Sequence, residues 1–268
     1  MLGLMGLAVL VAVVPLGSII YAVISHGIGA IHGLGFFTQP PPGDATSPGG
    51  GLGNAIAGTL IMVALASVVF IPLGVLGAVY LVEFGPGTLL ARAVRFFAEV
   101  MTGIPSIIFG IFVYTVIVSY MGHFSALAGS VAIGLIMWPI VVRTSEEMLS
   151  RVQPSVREAS LALGIPKWKT VLKVILPTAA AGLTTGSMLA VARAAGETAP
   201  LLFTALGSQF MSFRLDQPIS ALPIEVYGGA TSAYAAQQQR AYAGALVLIG
   251  LVLALTLIAR FVAARRGA

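Results

Sequence analysis

The sequence has 268 residues, 58% of them hydrophobic and 9% charged, with no cysteine and a mean hydropathy of +1.00. Soluble domains carry roughly 25% charged residues, so an ordinary globular enzyme is excluded, as are a disulfide framework and a thiolate metal or redox centre. The net charge of +5 and pI near 9.8 fit nucleic acid on their face, but in so apolar a chain basic residues record membrane topology first.

A helix needs about 20 mostly apolar residues to cross the hydrocarbon core, and lipid offers the backbone no partner outside the helix. Six runs meet this requirement, approximately 2–25, 54–82, 101–121, 125–142, 178–207 and 241–262. The expected class is an all-α membrane protein with six transmembrane helices. The first run lacks a basic start and exceeds the apolar length of a signal peptide, so it reads as a retained span. The segment "FFTQPPPGDATSPGGGLGN" (36–54) has one acid and no base. Its Pro and Gly content makes it a loop. Residues 1–53 therefore form one unit, the first helix and its loop, and 54–264 the main transmembrane domain. Pro72, Pro105 and Pro139 lie in or near the apolar runs and read as tolerated kinks of a packed bundle.

Lysine and arginine set the orientation. With the N-terminus inside, segments 83–99 and 143–177 and the C-terminal tail hold eleven of the fourteen basic residues, Arg92, Arg95, Arg143, Arg151, Arg157, Lys167, Lys169, Lys173, Arg260, Arg265 and Arg266. Arg214 and Arg240 fall outside and Arg193 within a span. The positive-inside rule places both termini in the cytoplasm and explains the high pI without nucleic acid.

The longest cytoplasmic segment, 143–177, has helical character on both sides of Gly164. Ser155 with Glu158 has capping-box spacing, Gly164 suits a left-handed helix end, and Pro166 suits the first turn of a following helix. Two short helices are expected to project from the membrane. Leu161, Leu163, Ile165 and Trp168 put apolar surface around the turn, which marks a partner surface beside the plainer reading of a solvated loop. No Walker lysine exists: Lys167, Lys169 and Lys173 follow Pro166, Trp168 and Leu172, outside any phosphate-binding loop.

Within the fifth run, Arg193 and Glu197 interrupt about thirty otherwise charge-free residues. A central arginine costs roughly 2.5–3.5 kcal/mol on insertion scales. On one continuous helix Gly182, Gly186, Arg193, Glu197, Pro200 and Thr204 share a face, which must point to the bundle interior or a pathway. Two explanations compete. The pair neutralises itself at i, i+4 and locks the bundle, although Arg before Glu is the weaker orientation. Alternatively, Arg193 offers its planar donor fork to a passing oxyanion, and Glu197 holds it in place. Beyond this run, 208–239 is a longer external segment with room for a short surface helix, and either external loop can serve as a connector or a docking surface.

"EASLALGIPKWKTVLKVILP" (158–177) resembles the EAA loop of permease subunits of ATP-binding-cassette importers. Glu158, Ala159, Gly164, Leu176 and Pro177 match in register, while Ser160 and Val174 are conservative replacements. "ARAAGETAPLLFTA" (192–205), "FFTQPPPG", "TGIPSIIFGIF" (102–112) and "LDQPISALPIEVY" (215–227) are similar to the phosphate-importer permeases of the PstA type, in order along nearly the whole chain. The PstC-type partner shares parts of these motifs. The resemblance implies the type I importer permease fold in the cell inner membrane and a non-catalytic subunit that forms a translocation path for inorganic phosphate. It implies a PstC-type permease partner, two copies of a PstB-type ATPase, and an extracytoplasmic phosphate-binding protein. It places Arg193 and Glu197 along the substrate pathway, to which the shared helix face adds Thr204, and Glu158, Ala159, Gly164 and Pro166 in ATPase coupling. Cofactors are expected only on the partner ATPase, as ATP and Mg. The alternatives are a permease for molybdate, tungstate or sulfate, and an ATP-independent channel or phosphate-signalling scaffold.

Overall fold

The computed structural model describes residues 1–266, and the described residues are nearly all helical, with one isolated bridge between Leu206 and Ile219. The side chains of Arg265 and Arg266, counted in the basic tail, lie outside the described residues. Among the described residues, five helices are long and apolar enough to cross a membrane: Gly3–Ala30, Gly53–Phe84, Ala126–Ser150, Lys167–Ala195 and Ala235–Ile258. A sixth crossing is a bent pair, Leu89–Gly103 and Ser106–Met121, which meet at 108°. We number these six units in chain order as first to sixth span.

The third run, expected as a span over 101–121 with Pro105 a tolerated kink, is corrected to two arms that break at Ile104–Pro105. Proline disfavours the helical region for its predecessor, and Ile104 is extended with ψ 130°. Its first arm, Leu89–Gly103, is amphipathic and capped by Thr88, whose hydroxyl accepts from the Ala91 N–H. Pro72 and Pro139, by contrast, remain inside continuous helices. Each of the second, third and fifth spans contains one π turn, at Tyr80–Phe84, Tyr114–Val118 and Val171–Ile175.

The fourth span is the bundle's axis. Two-thirds of its most apolar window is buried, against 6% for the first span, which rests mainly on the sixth. Met62, Ala66, Ile133, Met137, Val141, Ala190 and Ala194 build the central core between the second, fourth and fifth spans. Small residues let the fifth span approach the fourth: a Cβ on Gly182 would meet Met148 at 2.5 Å, and Gly186 faces Thr144.

The expected straight face from Gly182 to Thr204 does not exist. The fifth-span helix begins at Lys167 and ends at Ala195, then a short helix, Ala199–Leu202, resumes beyond the break. The chain nevertheless continues beside the fourth span, because a Cβ on Gly129 would touch Leu201 and Ala205. At the loop end the first N–H groups of the fourth span have no helical partners. Ser125, Ala126 and Leu127 instead donate to the carbonyls of Thr204, Gln217 and Leu215. The segment after the fifth span is thus a folded cap containing the helix Leu222–Ala230. The Leu222 N–H donates to Thr59 Oγ1 on the second span, and Arg240 fastens the first loop through the carbonyls of Ser47 and Gly49.

Candidate functional site

Arg193 sits in the last turn of the Lys167–Ala195 helix, where a cation complements the helix dipole. Glu197 lies in the break that follows. Its Oε1 stands 3.6 Å from Arg193 Nε, too far for a good hydrogen bond, and the two side chains are 59% (Arg193) and 15% (Glu197) exposed. Arg193 makes no side-chain hydrogen bond among the described residues. The guanidinium lines a cavity of about 30 Å³ with Thr102, Ile104, Ser106, Pro139 and Ile140. That places it beside the middle of the fourth span and the break of the third. The two helix breaks also pack together, since a Cβ on Gly110 would lie 2.6 Å from the Pro200 Cα.

Thr204 is not part of this group. It is fully buried, and its hydroxyl donates to the Pro200 carbonyl at 2.8 Å. The break at 196–198 rotates it off the face that a continuous helix would have given.

At the opposite, basic end, the helix Pro154–Ala162 projects between the fourth and fifth spans. Glu158 and Ala159 are exposed on it, and Gly164 adopts φ +74° at the turn. Leu161, Leu163 and Trp168 are exposed around that turn. Three local expectations change. Gln153, not Ser155, occupies the N-cap, without a side-chain cap bond, because Pro154 already takes the first helical position. Pro166 sits one residue before the next helix, its carbonyl accepting from Lys169 and Thr170. That next helix is no separate short element but the foot of the fifth span.

The structure adds residues that sequence reasoning passed over. Glu83, 5% exposed, accepts from Arg157 Nε at 2.9 Å, and Arg157 Nη2 stands 2.8 Å from the same carboxylate oxygen. Arg95 Nε donates to Glu146 at 2.6 Å and its Nη2 to the Leu81 carbonyl. Ser160 and Thr170 share a buried hydroxyl hydrogen bond of 2.9 Å. One signal was available: Glu83 is the first carboxylate after the second apolar run, beside a segment rich in arginine.

These features define a membrane-embedded permease subunit. Residues 70–267 match the family described as binding-protein-dependent transport system inner membrane component. The phosphate transport system permease protein PstA of Yersinia pestis is 44% identical over 250 residues, covering 92% of this chain and 83% of that protein. The Haemophilus influenzae PstA is 40% identical over 260 residues, covering 97% and 91%. A chain of the inward-facing MetNI methionine ABC transporter superposes with a TM-score of 0.58 at 20% identity, covering 80% of this chain and 94% of its own, and so shares the fold. The chain belongs to the binding-protein-dependent inner membrane components and, among them, to the PstA phosphate transport permeases.

Proposed function

We propose that this chain is a permease subunit of an ATP-driven phosphate importer and that phosphate passes Arg193. The observation that carries the reading is the state of that guanidinium. An arginine serving only as a lock is expected to be largely covered and well bonded, as Arg157 is at the basic end of this same chain. Arg193 is more than half exposed, loosely paired and beside broken backbone. Non-helical backbone at membrane depth belongs where it is covered by protein or lines a cavity. Lipid cannot cover a guanidinium at that depth, so a second permease chain and the path between the two chains face it.

In this reading a PstC-type permease completes the path and two copies of a PstB-type ATPase bind the cytoplasmic face. An extracytoplasmic binding protein delivers phosphate to the loop end. Arg193 presents its donor fork to the tetrahedral oxyanion. Glu197 orients the guanidinium and offsets its charge, so that the anion is not held too tightly to leave. Glu158, Ala159, Gly164 and Pro166 form the element on which the ATPase acts, and ATP with Mg stays on that partner. The chain itself performs no bond chemistry.

The test is Arg193→Gln in the full complex reconstituted in vesicles. The complex is expected to assemble with its ATPase, and labelled phosphate uptake is expected to fall by at least about a hundredfold, as for removal of a charge-assisted contact worth ~3 kcal/mol. Wild-type uptake would return Arg193 to a structural role. Competition by sulfate, molybdate or tungstate as effective as by phosphate would assign the path to a different oxyanion.

A further inference from the structure

We propose that Arg157 is the joint through which the projecting helix moves the second and fourth spans, and that this helix and the fifth span travel as one rigid body. The inference rests on the coupling role just assigned to 158–166. The outward side of Pro154–Ala162 carries exposed Glu158 and Ala159. Its inward side makes two kinds of attachment.

The first is the Arg157 guanidinium, which engages three groups at once. Nε donates to Oε1 of buried Glu83, in the π turn that ends the second span, and Nη2 lies within ion-pair distance of the same oxygen. Nη2 also donates to the Leu149 carbonyl at 2.8 Å, and Nη1 to the Val152 carbonyl. Carbonyls at a helix C-terminus lack helical partners, and a cation there is favoured. Arg157 therefore joins the Leu149 carbonyl, in the last turn of the fourth span, to the only carboxylate of the second span with one planar group. Lysine, a point charge, does not reproduce that fork. The second attachment is the buried Ser160–Thr170 hydroxyl pair, which ties the helix to the foot of the fifth span. Lys167 adds a contact over the Phe84 ring, 5.2 Å from its centroid. A push on Glu158 or Ala159 is thus passed to three spans, two of which, the fourth and the fifth, carry Pro139 and Arg193 at the candidate path.

The tests use the complete complex in proteoliposomes, with phosphate taken up per ATP hydrolysed as the readout. Glu83→Gln and Arg157→Lys are expected to copurify with the ATPase and to hydrolyse ATP, while transport per ATP falls about tenfold or more, within the usual range of coupling between sites. A wild-type ratio in both variants overturns the joint. So does loss of assembly in both, which would mark a folding contact only. The natural absence of cysteine allows a measurement free of that risk. Ser160→Cys with Thr170→Cys is expected to form a disulfide that leaves transport intact, because the linked elements already move together. Failure to cross-link, or transport stopped by the cross-link and restored by reduction, overturns the rigid body. Glu158→Ala serves as the control: full coupling in that variant would sink the coupling role of this helix itself, whereas a wild-type ratio in the Glu83 and Arg157 variants alone would sink only the joint.

Discussion

Two Arg–Glu pairs in one chain show how burial and bonding separate a fastening from a site. Arg157–Glu83 is mostly covered and shares its donors with two carbonyls, whereas Arg193–Glu197 is open, long and poorly satisfied. The sequence distinguished neither: the i, i+4 spacing of Arg193 and Glu197 says only that they are neighbours, and Glu83 lies 74 positions from Arg157. A third carboxylate behaves differently again. Glu225, on the cap helix Leu222–Ala230, is mostly buried, and that burial pushes its carboxyl above the ordinary glutamate value, opposed by the Ser220 hydrogen bond and the charge of Arg240. For a group raised in the folded state, the stabilising contribution is complete below the unfolded pKa and is lost as pH climbs through the raised one. Thermal unfolding of the detergent-solubilised protein should therefore show a stability loss on the alkaline side of the normal glutamate range. Glu225→Gln, which keeps the neutral form at every pH, should flatten that slope. An unchanged slope would assign the pH dependence to other groups.

Among the elements, five spans were legible because a continuous apolar run has one solution in lipid, a helix closed on its own hydrogen bonds. The breaks were less legible. Pro105 and Gly196 are each a single residue, and Pro72 and Pro139 show that proline in a span does not by itself end it. What decides is packing: Gly110 admits the Pro200 backbone, so the third and fifth spans break side by side. The candidate site was legible in part. Arg193, Glu197, Glu158 and Gly164 stand out by charge or motif, but Thr204 was assigned by extrapolating a helix that stops at Ala195. Glu83, Arg157, Ser160 and Thr170 are common residues whose meaning comes from contacts 10 to 74 positions apart. Gly110→Ala tests the packing directly. Its Cβ would stand 2.6 Å from the Pro200 Cα, closer than van der Waals contact allows, and backbone cannot retreat as a flexible side chain can. A loss of about 1–3 kcal/mol is expected from such overpacking, visible as a lowered unfolding temperature. An unchanged one would mean that the two breaks are not pressed together.

For the whole molecule, the exposed surface is uneven in kind. The first span is apolar all round and nearly unburied, which suits lipid. The face of the third span carrying Ile107, Ile108, Ile111 and Phe112 is also apolar and exposed, but it belongs to the helix whose Ser106 and Phe109 line the cavity with Arg193. The two faces should answer a hydrophobic photolabel differently. Single cysteines at Val13 and Phe112, introduced into this cysteine-free chain, should both be labelled when the chain is alone in a bilayer. Only Phe112→Cys should be protected once the second permease is present. Equal labelling in the complex would put the partner on another side.

The three π turns have a mechanical corollary. Each winds one residue more than an ordinary turn, and two of them, at Tyr80–Phe84 and Val171–Ile175, stand where the second and fifth spans reach the basic end. A spare residue of this kind is stored slack. Tightening it would swivel the helix beyond by about 100° and advance it by about 1.5 Å, with hydrogen bonds exchanged locally and no need to unwind the crossing. These two helices can therefore change the side they show to their neighbours by a screw motion, one residue at a time.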